Sequence, residues 1–245
     1  MKTSQIFLAF LLAAAFSIVT SGCEQLNPCV NPSNTNEEQT LSVNDFSAIH
    51  LKGSGEVFLT YGDTESVVVK APQEVLDRLD VSVNSGILLL DVDGCFSGNF
   101  DLEYYVTIAQ PVKELSVSGS GDIFGQNEIE AATDLTLDIS GSGLMSLEVA
   151  ATNISSRISG SGELSLIGIA TSHDARISGS GDLYAFDLKT IDNDIQVSGS
   201  GDAEIFSEGG TLDVKISGAG TVYYKGTPAS INTQVTGSGD LIDAN

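Results

Sequence analysis

The chain has 245 residues, 26 of them glycine and none tryptophan, and its 33 acidic residues against 10 lysines and arginines set a net charge of −23. A phosphate backbone needs a Lys/Arg surface that this chain cannot assemble, so nucleic acid is excluded, as is electrostatic docking to anionic lipid headgroups. The hydrophobic share of 41% is too high for disorder, so the chain folds.

The N-terminus reads as a processing signal. Lys2 supplies a positive n-region and Ile6 to Val19 an apolar h-region too short to span a bilayer comfortably. The run ends in Val19-Thr20-Ser21-Gly22-Cys23, which resembles a lipoprotein signal box apart from Thr20, where Leu is usual. Residues 1–22 are therefore expected to be cleaved and Cys23 to be acylated, anchoring the chain by lipid rather than by helix. Residues 23–40 are rich in Asn, Pro, Glu, Ser and Thr and read as a flexible spacer, with order beginning near Leu41. Of the remaining cysteines, Cys29 and Cys95 are free to pair in an oxidising compartment, but Cys29 falls in the spacer, so sequence leaves the bond open.

Residues 41–245 read as a single solenoid domain, with 41–114 as its elaborated N-terminal part. That part carries the unit signature once, with Ile49 and Leu51 before Gly53-Ser54-Gly55-Glu56 and Val57 and Leu59 after it. There follow Val67 to Val69, a helix candidate over Gln73 to Leu79, strands near Val81, Leu88 to Val92 and Tyr104 to Ile108, and a turn at Asp91-Val92-Asp93-Gly94. The pattern suits a cap on the first end of the solenoid.

From residue 115 the chain repeats. The motif beginning at Gly119 recurs at Gly141, Gly160, Gly179, Gly199, Gly218 and Gly237, at intervals of 22, 19, 19, 20, 19 and 19 residues. Counted from each first glycine, positions −4, −2, +4 and often +6 are apolar, as in Leu137, Ile139, Met145 and Leu147. All these offsets are even, so each flank alternates as a strand with one buried face. The same parity turns both glycines inward, where the backbone is crowded or bends through a positive φ, and sends Ser180 and Asp182 outward. Two short strands and a turn, such as Ala170 to His173, cannot bury such a stripe alone; stacked on like units they can. The fold expected is all-β, a right-handed parallel β-helix. No six-residue sub-period marks the left-handed kind, and propeller blades run to about forty residues.

Phe46-Ser47-Ala48-Ile49, Pro111-Val112-Lys113-Glu114-Leu115 and the reiterated Ser-Gly-Ser-Gly-Asp resemble the putative auto-transporter adhesin, head GIN domain family, over roughly residues 41–240. The resemblance implies a secreted or lipid-anchored right-handed β-solenoid of Gram-negative bacteria. It implies no ligand and transfers no catalytic residue.

Two candidate sites follow from the sequence. Neighbouring rungs stack at about 4.8 Å, so Glu163, Asp182 and Asp202 form a carboxylate ladder that a Ca²⁺ ion could relieve, interrupted at Leu144 and Thr221; well-hydrated surface acids are the simpler reading, and no other metal or cofactor is expected. Exposed aromatics, Tyr104-Tyr105, Tyr184, Phe186, Phe206 and Tyr223-Tyr224, offer a surface for a glycan or surface protein. In each adjacent pair strand alternation turns one ring inward, and Phe186 and Phe206, at equivalent offsets one rung apart, are expected to stack as an exposed ladder. His50 and His173 lie far apart, the second in a turn, and read as surface histidines; no catalytic residue is assigned. The function expected is a lipid-anchored adhesion or surface-interaction module of the outer membrane, not an enzyme. A structural envelope protein is the alternative, and a polysaccharide-processing β-helix enzyme a distant one. A strand edge left open after the last unit also invites a weak homodimer.

Overall fold

The computed structural model describes residues 29–245, so the signal segment and Cys23 lie outside the described residues. The units build a parallel β-helix of two sheets. Each rung enters along a strand ending at the first motif glycine, turns at the Gly-Ser-Gly corner and leaves along a second strand. Asn153–Gly160, Ser172–Gly179, Asp192–Gly199, Thr211–Gly218 and Ser230–Gly237 stack in parallel as sheet I. Leu144–Ala150, Glu163–Ile169, Asp182–Lys189, Ala203–Phe206 and Thr221–Lys225 stack as sheet II. Each residue meets its counterpart one unit along, Ile158 beside Ile177 and Gly160 beside Gly179.

The corner explains the two glycines separately. Gly179 has φ +123, and a Cβ there would run into the Gly160 carbonyl oxygen of the previous rung. Gly181 has an ordinary φ but is crowded: its Cβ would lie 2.5 Å from both Gly162 O and Ile158 Cγ2. The intervening serine gives only its backbone to the stack, Ser180 N–H donating to Gly160 O at 2.8 Å. Ala219 occupies the same place and donates to Gly199 O at 2.8 Å, so the hydroxyl is dispensable there.

The two irregular intervals are absorbed without disturbing the corners. Ile129–Gly141 starts beside Val149 in sheet II, crosses to sheet I and slips register between Ala131 and Thr136, which takes up the 22-residue interval. The 20-residue interval becomes a β-bulge: Ser165 faces Tyr184 but Ile167 faces Asp187, leaving Phe186 as the extra residue.

The space between the sheets is filled by the even positions. Ile139, Ile158, Ile177, Val197 and Ile216 form one buried file, and Ile123, Met145, Leu164, Leu183, Ala203 and Val222 form the facing one. Each such side chain contributes roughly 1.5–3 kcal/mol by leaving water. The last sheet I strand is the exception: Ile231 and Val235 point inward yet are 42% and 41% exposed, because no described rung covers them.

His173 departs from the sequence expectation. It lies in strand Ser172–Gly179, not in a turn, and is buried in the file that Ile154 and Leu212 also occupy. It stays in the core because its Nε2 is 2.8 Å from the Ser156 hydroxyl, one rung back and equally buried. Burial pushes its pKa down to about 4. The unfolded imidazole titrates near 6.5, so between those values protons bind the unfolded chain preferentially. The stability present at neutral pH is therefore lost as pH falls from about 6.5 to about 4, by up to about 3 kcal/mol. His173→Leu should abolish that slope, and urea midpoints of the two chains between pH 7 and pH 4 check it. Parallel midpoints would contradict the assignment.

The N-terminal part closes the first end of the stack. Ala48–Gly53 and Glu56–Tyr61 form a true rung beside Val112–Gly119 and Asp122–Gly125, although a long excursion separates them in sequence. The excursion lays Ile87–Val92 and Glu103–Ile108 in parallel on the opposite side of that rung. Antiparallel strands then end both sheets, Leu79–Asn84 on one, and Ser66–Pro72 followed by Asn36–Leu41 on the other. The helix is shorter than expected, Gln73–Leu76, because Leu79 is drawn into pairing with Val92; its Val75 and Leu76 are buried. The spacer also ends earlier than composition suggests. Asn36–Leu41 is a strand whose side chains are nearly all exposed, held by backbone pairing and by a 3.1 Å Lys70–Glu38 ion pair. A strand held that way needs no apolar stripe to signal it. Cys29 and Cys95 are joined as a disulfide, Cα atoms 4.6 Å apart, and beside it Val30 N–H donates to the Cys95 carbonyl while Ser97 N–H donates to the Val30 carbonyl.

Candidate functional site

The acidic file forms in register, Glu163 beside Asp182 and Asp202 next along, but its oxygens have work to do in the backbone. Asp122, Asp182 and Asp202 each accept the main-chain N–H of the next rung, those of Leu144, Asp202 and Thr221, at 2.8, 2.9 and 2.7 Å. Where the preceding rung has a longer or uncharged side chain, that N–H turns instead to a glycine carbonyl, as Glu163 does to Gly143 and Asp182 to Gly162, both at 3.0 Å. Aspartate is therefore a corner cap, the right length to span one rung. Among the described residues no group of three or more His, Cys, Asp or Glu side chains is placed to hold a metal ion. Where the file reaches the disulfide-tethered loop, Glu56, Glu103, Asp122, Phe100 and Leu102 border a cavity of about 500 Å³.

Ser156 and His173 are sealed in the core. His50 Nε2 is 2.7 Å from Glu114 on the outer face of sheet I. Arg157 and Arg176 are neighbours on the same face and bind Asp138 and Asp174 at 3.9 and 2.6 Å.

The candidate aromatics separate into three kinds. Tyr104 is core, fully buried, its hydroxyl unpartnered among the described residues; burial, and then the Asp91 carboxylate, push its pKa far up. Tyr105 faces out and is 36% exposed. Phe186 and Phe206 do not stack on each other; Lys225 Nζ sits 4.1 Å from the Phe186 ring centre and Lys189 Nζ 3.7 Å from that of Phe206. Each lysine covers a ring face, so the expected ladder does not form there.

A ladder forms instead at position +5 from the first glycine. Tyr105, Phe58 and Phe124 lie side by side on sheet II with ring centres 5.1 and 5.9 Å apart and planes within 24°. The file then runs through Ser146, Ser165, Tyr184, Glu204, Tyr223 and Ile242. Tyr105 donates to Glu103 Oε2 at 2.8 Å, and that bond leads the causes raising its pKa, so the phenol stays neutral. Lys70 Nζ covers its outer face at 4.6 Å. Tyr184 is 39% exposed, and desolvation followed by Asp182, Glu163, Glu204 and Asp202 raises its pKa. Phe58 and Phe124 were not among the aromatics expected from sequence; the offset +5 that they share with Tyr184 and Tyr223 is the signal that marks them.

Comparison with known proteins follows the same fold. The family described as putative auto-transporter adhesin, head GIN domain, matches residues 45–228. A crystal structure of a putative adhesin from Bacteroides fragilis superposes with a TM-score of 0.77 at 22% identity, covering 86% of this chain and 98% of that one. A putative adhesin from Parabacteroides merdae gives 0.66 at 20%, over 87% and 99%. A putative lipid binding protein from Parabacteroides distasonis gives 0.67 at 19%, over 87% and 99%. At these identities the likeness concerns the fold. No curated protein matches the chain. Among the described residues no helix is long and apolar enough to cross a membrane.

Proposed function

The chain belongs to the putative auto-transporter adhesin, head GIN domain family, and from that premise we propose that it is a lipid-anchored adhesion module of the bacterial envelope whose contact face is the outer side of sheet II. The anchor is Cys23, which leaves the rungs free to project from the membrane. The solenoid is a rigid platform that repeats its outward side chains every rung. One observation carries the choice of face: the core is complete without Tyr105, Phe58, Phe124, Tyr184 and Tyr223, yet all five share one outward file. Aromatic rings in partial contact with water are the side chains that supply most contact energy at recognition surfaces. The family and two of the solved structures above are described as putative adhesins, which supports the adhesion reading.

Cells displaying the full chain should adhere to surfaces coated with a panel of glycans and matrix proteins. The triple substitution Tyr105→Ser, Tyr184→Ser, Tyr223→Ser should cut adherence at least tenfold while the thermal midpoint barely moves, since all three rings point outward. Undiminished adherence by the triple variant would reduce the file to a cross-strand staple and overturn the assigned face.

A further inference from the structure

Within the +5 file the geometry points to a slot for a neutral glycan between Phe124 and Tyr184, floored by Ser146 and Ser165; this rests on the adhesion reading above. Tyr105, Phe58 and Phe124 cover one another's faces, and Lys70 covers the far side of Tyr105. One ring face of the stack is left over, that of Phe124, and it looks along the solenoid toward Ser146. Tyr184 stands three rungs from Phe124, about 14 Å at the spacing of paired strands. Between the rings the file holds only serines, the smallest outward side chains available there. Among the described residues neither hydroxyl has a hydrogen-bonding side-chain partner, so both are free to bind from the floor.

The rims match the same ligand. Strand alternation places Leu144 and Glu163 along one side of the floor and Glu148 and Ile167 along the other, with Asp182 beside Tyr184. Ile167 is 49% exposed, an apolar lip next to Ser165. A pyranose presents an apolar C–H face and a rim of hydroxyls. The first stacks on an aromatic ring, whose negative face attracts C–H groups; the second donates to carboxylates and exchanges hydrogen bonds with serines. The gap has room for a disaccharide-sized unit, and an extended chain would run along the axis from rung to rung. Uronates and sialylated sugars are rejected, because Glu148, Glu163 and Asp182 surround the floor and the chain carries −23 overall.

The test uses the full chain with maltotetraose, mannotetraose and chitotetraose as neutral probes, tetragalacturonate as the anionic one, and hexa-lysine as a cationic control, read by calorimetry. At least one neutral oligosaccharide should bind, and the two charged probes should not. Ser165→Trp fills the slot from an outward position, so it should weaken that binding at least tenfold with an unchanged thermal midpoint; Phe124→Ser should weaken it comparably. Preference for tetragalacturonate or hexa-lysine, absence of binding by all three neutral probes, or indifference to Ser165→Trp would overturn the slot. The adhesion reading survives such a result if displayed cells still adhere and still lose adherence in the triple tyrosine variant. It falls separately if they do not.

Discussion

Gly179→Val should lower the free energy of unfolding by about 3–5 kcal/mol, while Ser180→Ala, its neighbour, should stay within about 0.5 kcal/mol of the parent. Two penalties coincide at Gly179. Its φ of +123 lies where side chains with a Cβ are strained, and the Cβ would overlap the Gly160 carbonyl oxygen that accepts the Ser180 N–H. Relief would require the rungs to part, which breaks the corner hydrogen bond and opens the file of Ile158 and Ile177. Ser180 contributes a backbone donor and an exposed hydroxyl, and Ala219 already serves at the equivalent corner. Urea midpoints of the two variants check both halves. Similar losses at the two positions would mean that the corners are not stacked in file.

Cys95→Ser should cost up to about 4 kcal/mol, the loop-closure entropy of a bond spanning a sequence separation of 66 residues. The bond pins the described N-terminus to the loop after Ile87–Val92, next to the Val30–Phe96 bridge. It thereby encloses the first rung, the antiparallel edge strands and the helix that cap the stack. In the unfolded chain the same bond forbids many conformations, which is where most of its effect arises. Chemical denaturation with and without a thiol reductant makes the comparison: reductant should bring the parent down to the variant and leave the variant unmoved. A parent indifferent to reductant would argue that the cap holds by packing alone.

The candidate site was only partly legible. The even offsets from each glycine identified the interior because a stacked unit meets its own copy, so one parity serves every rung. By the same rule the odd offset +5 would have shown Phe124, Tyr184 and Tyr223 in one file. Phe58 has the same offset from Gly53, whereas Tyr105 was harder: it belongs to the layer beyond the first rung, whose alignment with the repeats depends on the excursion through residues 62–111. Phe186 misled for a different reason: a bulge removes it from the periodic positions, and Lys225 covers its face.

Sequence alone determined the repeat length, the two-strand unit, the inward glycines and the acidic outer file, since each depends on residues close in the chain or one period apart. Tertiary structure decided what joins distant segments without a shared period. It placed Gly53 beneath Gly119, paired Asn36–Leu41 with Ser66–Pro72, and brought Cys29 to Cys95. It also put His173 in the core, where one buried serine hydroxyl makes a polar ring acceptable at an aliphatic position. Periodicity transmits information only along the stack; pairings at its end are chosen by packing and backbone hydrogen bonding, and those become visible only when the chain is folded.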